Sequence, residues 1–322
     1  MRFFERQEDA RRRTRRLLLV FAGTVVLLGL AVNAGLALIW HLLWGWRGVP
    51  PYPAHFFTVN TGVLLLQVLG GWWIEWSNLQ AGGEALARRA GAREARPDSA
   101  DGERRLCNVV DELTIAAGMK APFVMVVPRA ESINGFAAGW GEDDAVIAVT
   151  RGALDRLTRE ELQGLVAHEL SHLREGDTRM NMHLAGMVAG LEMLFGLGLS
   201  MCEADENGRR RVLALPGVIV LALGWAGWVA GQALKAAISR QREFLADARA
   251  VQWTRSREGL GGTLRKILGQ QGEVRAMSWD GAVLHMLLAG EDDERERWFD
   301  SHPSLERRIR RIYGRDRGPI AA

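Results

Sequence analysis

LVAHELSHLREGD, Leu165–Asp177, places two histidines four positions apart with a glutamate directly after the first. It closes a longer run, TREELQGLVAHELSHLREGD, in which Leu162, Leu165, Val166 and Leu170 recur at helical spacing. Thr158 supplies an N-cap and Glu161 completes a capping box. The spacing therefore predicts a helix. Residues four apart on a helix lie above one another, so His168 and His172 present their rings to one side. Two neutral imidazoles so placed suit a zinc ion. The adjacent Glu169 suits removal of a proton from zinc-bound water and its later delivery to a leaving amine.

A catalytic zinc takes three protein ligands and keeps a position open for water. The metzincin extension HExxHxxGxxH would need glycine at 175 and histidine at 178, but Glu175 and Thr178 stand there. Further along, AISRQREFLADARAVQW offers Glu243 as third ligand. Asp247, one turn later on the same face, can orient His168 or His172 by accepting the other ring N–H. Glu175 shares the histidines' face and competes as ligand, but it comes from the same helix and would crowd one side of the ion. Glu243 is the preferred third ligand, and one zinc ion per chain is expected.

On either side the chain is strongly apolar. Leu17–Trp44, LLLVFAGTVVLLGLAVNAGLALIWHLLW, contains no Lys, Arg, Asp or Glu, and about 20 such residues cross the hydrocarbon of a bilayer. A cleaved signal peptide is a poorer reading, because its apolar region runs to only about 7–15 residues before a small-residue cleavage site. A second run, Ala54–Ile74, completes a hairpin. The flanks MRFFERQEDARRRTRR and ALARRAGAREAR are basic while the connecting loop holds only Arg47, so both ends of the hairpin face the cytoplasm. Trp40, Trp44 and Trp46 at one end and Trp72, Trp73 and Trp76 at the other fit interfacial belts. Two later runs, MHLAGMVAGLEMLFGLGLSM and VLALPGVIVLALGWAGWVAGQAL, have the length of a second hairpin at about 180–237. Glu192 interrupts the first of them, and Arg209–Arg211 between them oppose the positive-inside rule. Full spanning and partial insertion are both compatible with these runs, so two to four transmembrane helices are expected.

The 322 residues are 48% hydrophobic and carry a formal net charge of +3. The arginines cluster beside apolar segments, where topology and anionic lipid explain them without nucleic acid. Two cysteines, Cys107 and Cys202, make neither a disulfide framework nor a CxxC pair, which agrees with a reducing compartment. Residues 1–77 form the basic flank and first hairpin. Residues 78–101, rich in Ala, Arg and Gly and ending in RPDSAD, read as a linker, and 102–322 as a cytoplasm-facing domain interrupted by the second hairpin. ERRLCNVVDELTIAAG reads as a helix ending at Gly118; FVMVVP and DAVIAVT read as strands of a small sheet, with INGFAAGW between them.

The motif HELSH, followed after an apolar hairpin by SRQREFLAD and then by SHPSLERRIRRI, resembles the HtpX family of membrane-bound zinc metalloproteases, relatives of the CAAX prenyl endoproteases. The resemblance implies a mainly α integral membrane protein with a small β-sheet and a gluzincin-type zinc metalloprotease domain. It implies zinc ligands His168, His172 and Glu243, general base Glu169, and Asp247 behind the histidines. INGFAAGW is similar to the family's Asn-x-Phe-Ala-x-Gly segment. The match implies that Asn134, Gly135, Phe136, Ala137, Ala138 and Gly139 bind substrate main chain along a strand edge, which would supply sequence-tolerant hydrogen bonds. His302 and Arg308 match a His-Pro-x-x-x-x-Arg pattern near the active site, where cations can stabilise an oxyanion. The expected activity is endopeptidase cleavage of misfolded or damaged membrane proteins at a bacterial inner membrane. A processing protease for a defined substrate and a non-catalytic membrane adaptor with a structural metal are the alternatives. Glu169 counts against the adaptor, since a purely structural ion has no use for a general base.

Overall fold

The structure is a computed structural model that describes residues 2–44, 48, 52–98, 100–203, 214–270, 287–288 and 302–314. It divides into two units, one formed by 1–78 with 183–234 and the other by 79–182 with 235–322.

The first unit contains helix α1 (Arg2–Trp44), nearly all of α2 (Phe56–Leu79), most of α7 (Asp177–Cys202) and the first half of α8 (Ala214–Thr254). Among the described residues, four stretches are long and apolar enough to cross a membrane: Leu19–Trp44, Phe56–Leu79, Asp177–Cys202 and Ala214–Leu234. Their apolar residues run around the whole helix. Val25, Leu28, Val32, Leu64, Val68, Leu191, Leu194 and Val220 form a shared core, while Leu27, Leu30 and Leu66 stay more than 60% exposed. Large side chains on the outside suit lipid rather than water. The helices approach closely through small residues: a Cβ on Gly190 of α7 would lie 2.3 Å from the Val68 carbonyl oxygen of α2. In the absence of water, such packing is what holds helices together. One polar bridge joins α1 and α2, with Asn33 Nδ2 donating to Thr61 Oγ1 at 3.0 Å.

The second unit is built on a four-stranded sheet of order β1-β2-β4-β3, where β1 is Arg93–Glu94, β2 Phe123–Val127, β3 Gly135–Ala138 and β4 Val146–Thr150. Strands β2 and β4 are parallel and the two outer pairings antiparallel. The short β-branched runs expected as strands are β2 and β4, and α4 (Asp101–Ala117) ends at Gly118 in a left-handed conformation, φ 62°. A short α5 (Arg151–Arg156) follows β4, capped by the Thr150 hydroxyl. Helix α6 (Arg159–Glu175) opens with the expected capping box: Thr158 N donates to Glu161 Oε2 at 2.7 Å, and Glu161 N to Thr158 Oγ1 at 3.3 Å. Its apolar face packs on α4 and α9 (Arg257–Gly269), and α10 (Leu305–Tyr313) packs on α9 in turn, in one core containing Leu162, Leu165, Val166, Leu170, Leu260, Leu264 and Ile309. Gly164 allows α6 and α9 to touch at the backbone, since a Cβ there would sit 2.2 Å from Leu260 N.

The stretch 78–101, expected as a linker, contributes to this unit instead. Helix α3 (Gly82–Arg89) buries Leu86 and Ala87, and β1 pairs Arg93 with Val126 and Glu94 with Met125. Buried Glu103 of α4 pins it by accepting from Arg93 Nη1 and Nη2 at 3.0 and 2.6 Å and from Arg96 N at 2.6 Å. A two-residue strand is too short for any periodicity to announce it.

Candidate metal centre

His168 and His172 face one another across one turn of α6, ring centroids 4.8 Å apart and Nε2 atoms 3.2 Å apart. Glu243, from the second half of α8, reaches both: Oε2 lies 3.4 Å from His168 Nε2 and Oε1 3.4 Å from His172 Nε2. His168 and Glu243 are buried and His172 is nearly so. Among the described residues, these three offer one ligand atom each within 4.8 Å of one another.

The donor set fits zinc. Bonds of about 2.0–2.2 Å in a tetrahedral site put neighbouring ligand atoms roughly 3.3–3.4 Å apart; the two Nε2 atoms are 3.2 Å apart, and each lies 3.4 Å from one of the two Glu243 oxygens. Two imidazole nitrogens and a carboxylate converging in a buried place would be a poor arrangement without a cation to share.

Each histidine is backed by an acid on its other nitrogen. His168 Nδ1 lies 3.1 Å from Asp247 Oδ1. His172 Nδ1 lies 3.0 Å from Asp177 Oδ2, and Arg242 pairs with Asp177 Oδ1. Neither Asp177 nor Arg242 is marked by the histidine motif itself. A signal for Asp177 is present in the quoted stretch: Gly176, φ 69°, ends α6 in a left-handed turn that brings the next residue back beneath His172. Glu175, the competing ligand, is instead paired with Arg249.

Arg308 is fully buried on the apolar face of α10, among Leu305, Ile309 and Ile312. Its guanidinium grips Asp247 with two hydrogen bonds, Nε to Oδ2 at 3.0 Å and Nη2 to Oδ1 at 2.7 Å. Nη1 donates to the Leu288 carbonyl at 2.6 Å and lies 3.3 Å from Glu243 Oε2. The side chain is therefore occupied in holding the centre together. His302 is placed differently. Its Nδ1 is 3.3 Å from Glu243 Oε2, while Nε2 is buried without a hydrogen-bond partner among the described residues.

Charges and burial act together on these groups. Burial alone would push the His172 pKa down, but hydrogen bonds with Asp177 and Glu243 outweigh it and hold it well above the ordinary histidine value. Burial likewise favours a protonated Glu243, yet the His302 and Arg308 charges and hydrogen bonds from both histidines hold its pKa well below the usual range. Glu169 is buried and its Oε1 has no partner among the described residues. Burial is the main cause of its raised pKa.

The strand edge expected to be open at 134–139 is covered. Leu288 N donates both to the Gly135 carbonyl and to Asn134 Oδ1, each at 2.9 Å, and Leu287 forms an antiparallel bridge with Phe136. At the far end α3 closes in, where a Cβ on Gly83 would lie 2.7 Å from the Ala138 carbonyl oxygen. Gly139, φ 138°, turns the chain away from the sheet.

Helix-borne histidines, a carboxylate from another helix and a buried glutamate beside them are the parts of a metallopeptidase centre. The model of Peptidase family M48 matches residues 100–316. The chain is 35% identical over 208 residues to the Protease HtpX homolog of Dictyoglomus turgidum, covering 64% of this chain and 68% of that one. It is 31% identical over 288 residues to the Protease HtpX homolog of Thermoanaerobacter pseudethanolicus, covering 86% and 88%. The crystal structure of S. mikatae Ste24p aligns at 14% identity with a TM-score of 0.43, over 93% of this chain and 66% of that one. The chain belongs to peptidase family M48 and, within it, to the HtpX family. It is a multi-pass membrane member of a zinc-dependent metalloprotease family.

Proposed function

We propose that the protein is a zinc endopeptidase that hydrolyses peptide bonds of misfolded or damaged membrane proteins, with its centre on the cytoplasmic side of a bacterial inner membrane. The convergence of His168, His172 and Glu243 beside a buried Glu169, whose Oε1 has no partner among the described residues, supports this reading. His168, His172 and Glu243 would hold one zinc ion, which when bound polarises a substrate carbonyl and makes a water more acidic. Glu169 takes the proton from the attacking water and later gives it to the leaving amine nitrogen. Burial raises the Glu169 pKa, which favours its uptake of that proton. His302 Nε2, free of other partners among the described residues, donates to the oxygen on which negative charge develops. Arg308 and Asp247 keep His168 and Glu243 in place.

Residues 79–182 and 235–322 form the proteolytic domain in this reading. Substrate main chain adds to β3 at Asn134–Gly139 once Leu287 and Leu288 give up that edge. The basic flanks of the first hairpin support the cytoplasmic orientation, and Glu243 follows the fourth apolar stretch closely, which suits access to chains at the bilayer surface. Cleavage of casein by the purified protein in detergent tests the assignment. Activity should disappear with a chelator and return with added zinc; chelator-resistant cleavage would contradict it.

A further inference from the structure

We propose that Asp177, held by Arg242, is a positioning residue for the metal centre, serving His172 as Asp247, held by Arg308, serves His168. The inference rests on the metal reading of His168, His172 and Glu243 and extends it to residues outside the ligand set.

The geometry is that of a relay with each oxygen assigned. Asp177 is 4% exposed, with Oδ2 on His172 Nδ1 at 3.0 Å and Oδ1 on Arg242. An acceptor at Nδ1 keeps the proton on that nitrogen and leaves the Nε2 lone pair directed at the centre, where His168 Nε2 and Glu243 lie. Without it the imidazole can rotate about its side-chain torsion or place its proton on Nε2, and either change removes a donor from the triangle.

The three participants come from three helices: His172 from α6, Asp177 from the first turn of α7, and Arg242 from α8. Arg242 immediately precedes Glu243, so consecutive residues of α8 grip the acid behind His172 and supply the carboxylate in front of it. Asp247 follows one turn later and stands behind His168. The two supports differ in their anchors. Arg308 is fully buried, whereas the Arg242 side chain keeps 12% of its exposure.

An acid in the first turn of a helix also stabilises that helix through its dipole, so the test must separate metal support from helix support. Zinc affinity of the full-length protein in detergent is measured by chelator competition at fixed pH, together with the visible spectrum of the Co²⁺-loaded form and the melting temperature of the metal-free form. Asp177→Ala should weaken zinc binding by about 10–100-fold and alter the Co²⁺ bands. Asp177→Asn keeps an acceptor oxygen and should recover most of the affinity. Arg242→Gln leaves the acid in place and should give a smaller loss in the same direction, which keeps the test decisive should Asp177→Ala fail to fold.

Wild-type zinc affinity and Co²⁺ bands in Asp177→Ala, with only the metal-free melting temperature lowered, would overturn the proposal and leave Asp177 a helix-terminal acid. If Asp177→Ala does not fold, unchanged affinity and bands in Arg242→Gln overturn it instead. Failure of the wild-type protein to bind zinc would overturn the underlying metal reading, a different result from equal binding by wild type and variant.

Discussion

Replacing Arg308 with methionine removes a fully buried cation that lies between two buried carboxylates and a carbonyl. Methionine keeps an unbranched apolar stem suited to the surroundings and removes the guanidinium, so the loss is mainly electrostatic. Breaking a buried ion pair by deleting one partner costs about 3–5 kcal/mol, because the other charge stays behind uncompensated. The Leu288 carbonyl loses its donor as well, worth about 1 kcal/mol. A total of about 4–6 kcal/mol is a large share of the roughly 5–15 kcal/mol that holds a domain folded. At about 2–4 °C per kcal/mol for a domain of this size, the melting temperature should fall by roughly 8–24 °C. A calorimetric scan of the metal-free protein in detergent, at one fixed rate, reads this out. Arg308→Lys keeps a charge but cannot reproduce the paired grip on Asp247, so it should recover less than half of the loss. A methionine variant melting within about 2 °C of wild type would refute the reasoning, because the clamp would then be worth less than about 1 kcal/mol.

Leu288→Pro removes the N–H that occupies Gly135 and Asn134. If the edge of β3 takes substrate after Leu288 leaves it, kcat/KM for unfolded casein should rise about fivefold for each 1 kcal/mol of hydrogen bonding lost; a fall would make this segment a permanent strand of the sheet. Glu103→Gln should cost about 1–3 kcal/mol at neutral pH, measured by denaturant midpoint. The hydrogen bond from Arg93 holds the Glu103 pKa below its unfolded value, which is about 4.3. Its contribution is therefore complete above that pH and lost as pH falls through the folded value. Wild type and variant should converge in acid, and a constant gap down to about pH 2 would contradict this.

Much of the centre is readable in the sequence because its parts obey local rules. HELSH lies on a helix whose capping box and apolar period announce it, and Glu243 and Asp247 share a face through their four-residue spacing. The apolar stretches are equally plain. What escapes local rules is what tertiary contact creates. Asp177 sits outside the histidines' helical face and reaches His172 only because Gly176 reverses the chain. Arg308 is singled out among the arginines of ERRIRR by the family resemblance alone, and its burial and its grip on Asp247 come from the packing of α10. The cover on β3 comes from Leu287–Leu288, far along the chain, and an Ala/Arg-rich stretch read as linker supplies α3 and β1.

In the proposed mechanism Glu169 does the chemistry while His168, His172 and Glu243 hold the metal. Glu169→Gln changes one oxygen to an amide without touching those donors. Zinc content and casein cleavage should be measured on the same preparation of the purified variant. The variant should hold one zinc per chain, as wild type should, with cleavage reduced by about 10²–10⁴-fold, the usual worth of a positioned acid–base group. Undiminished cleavage with zinc retained would contradict it.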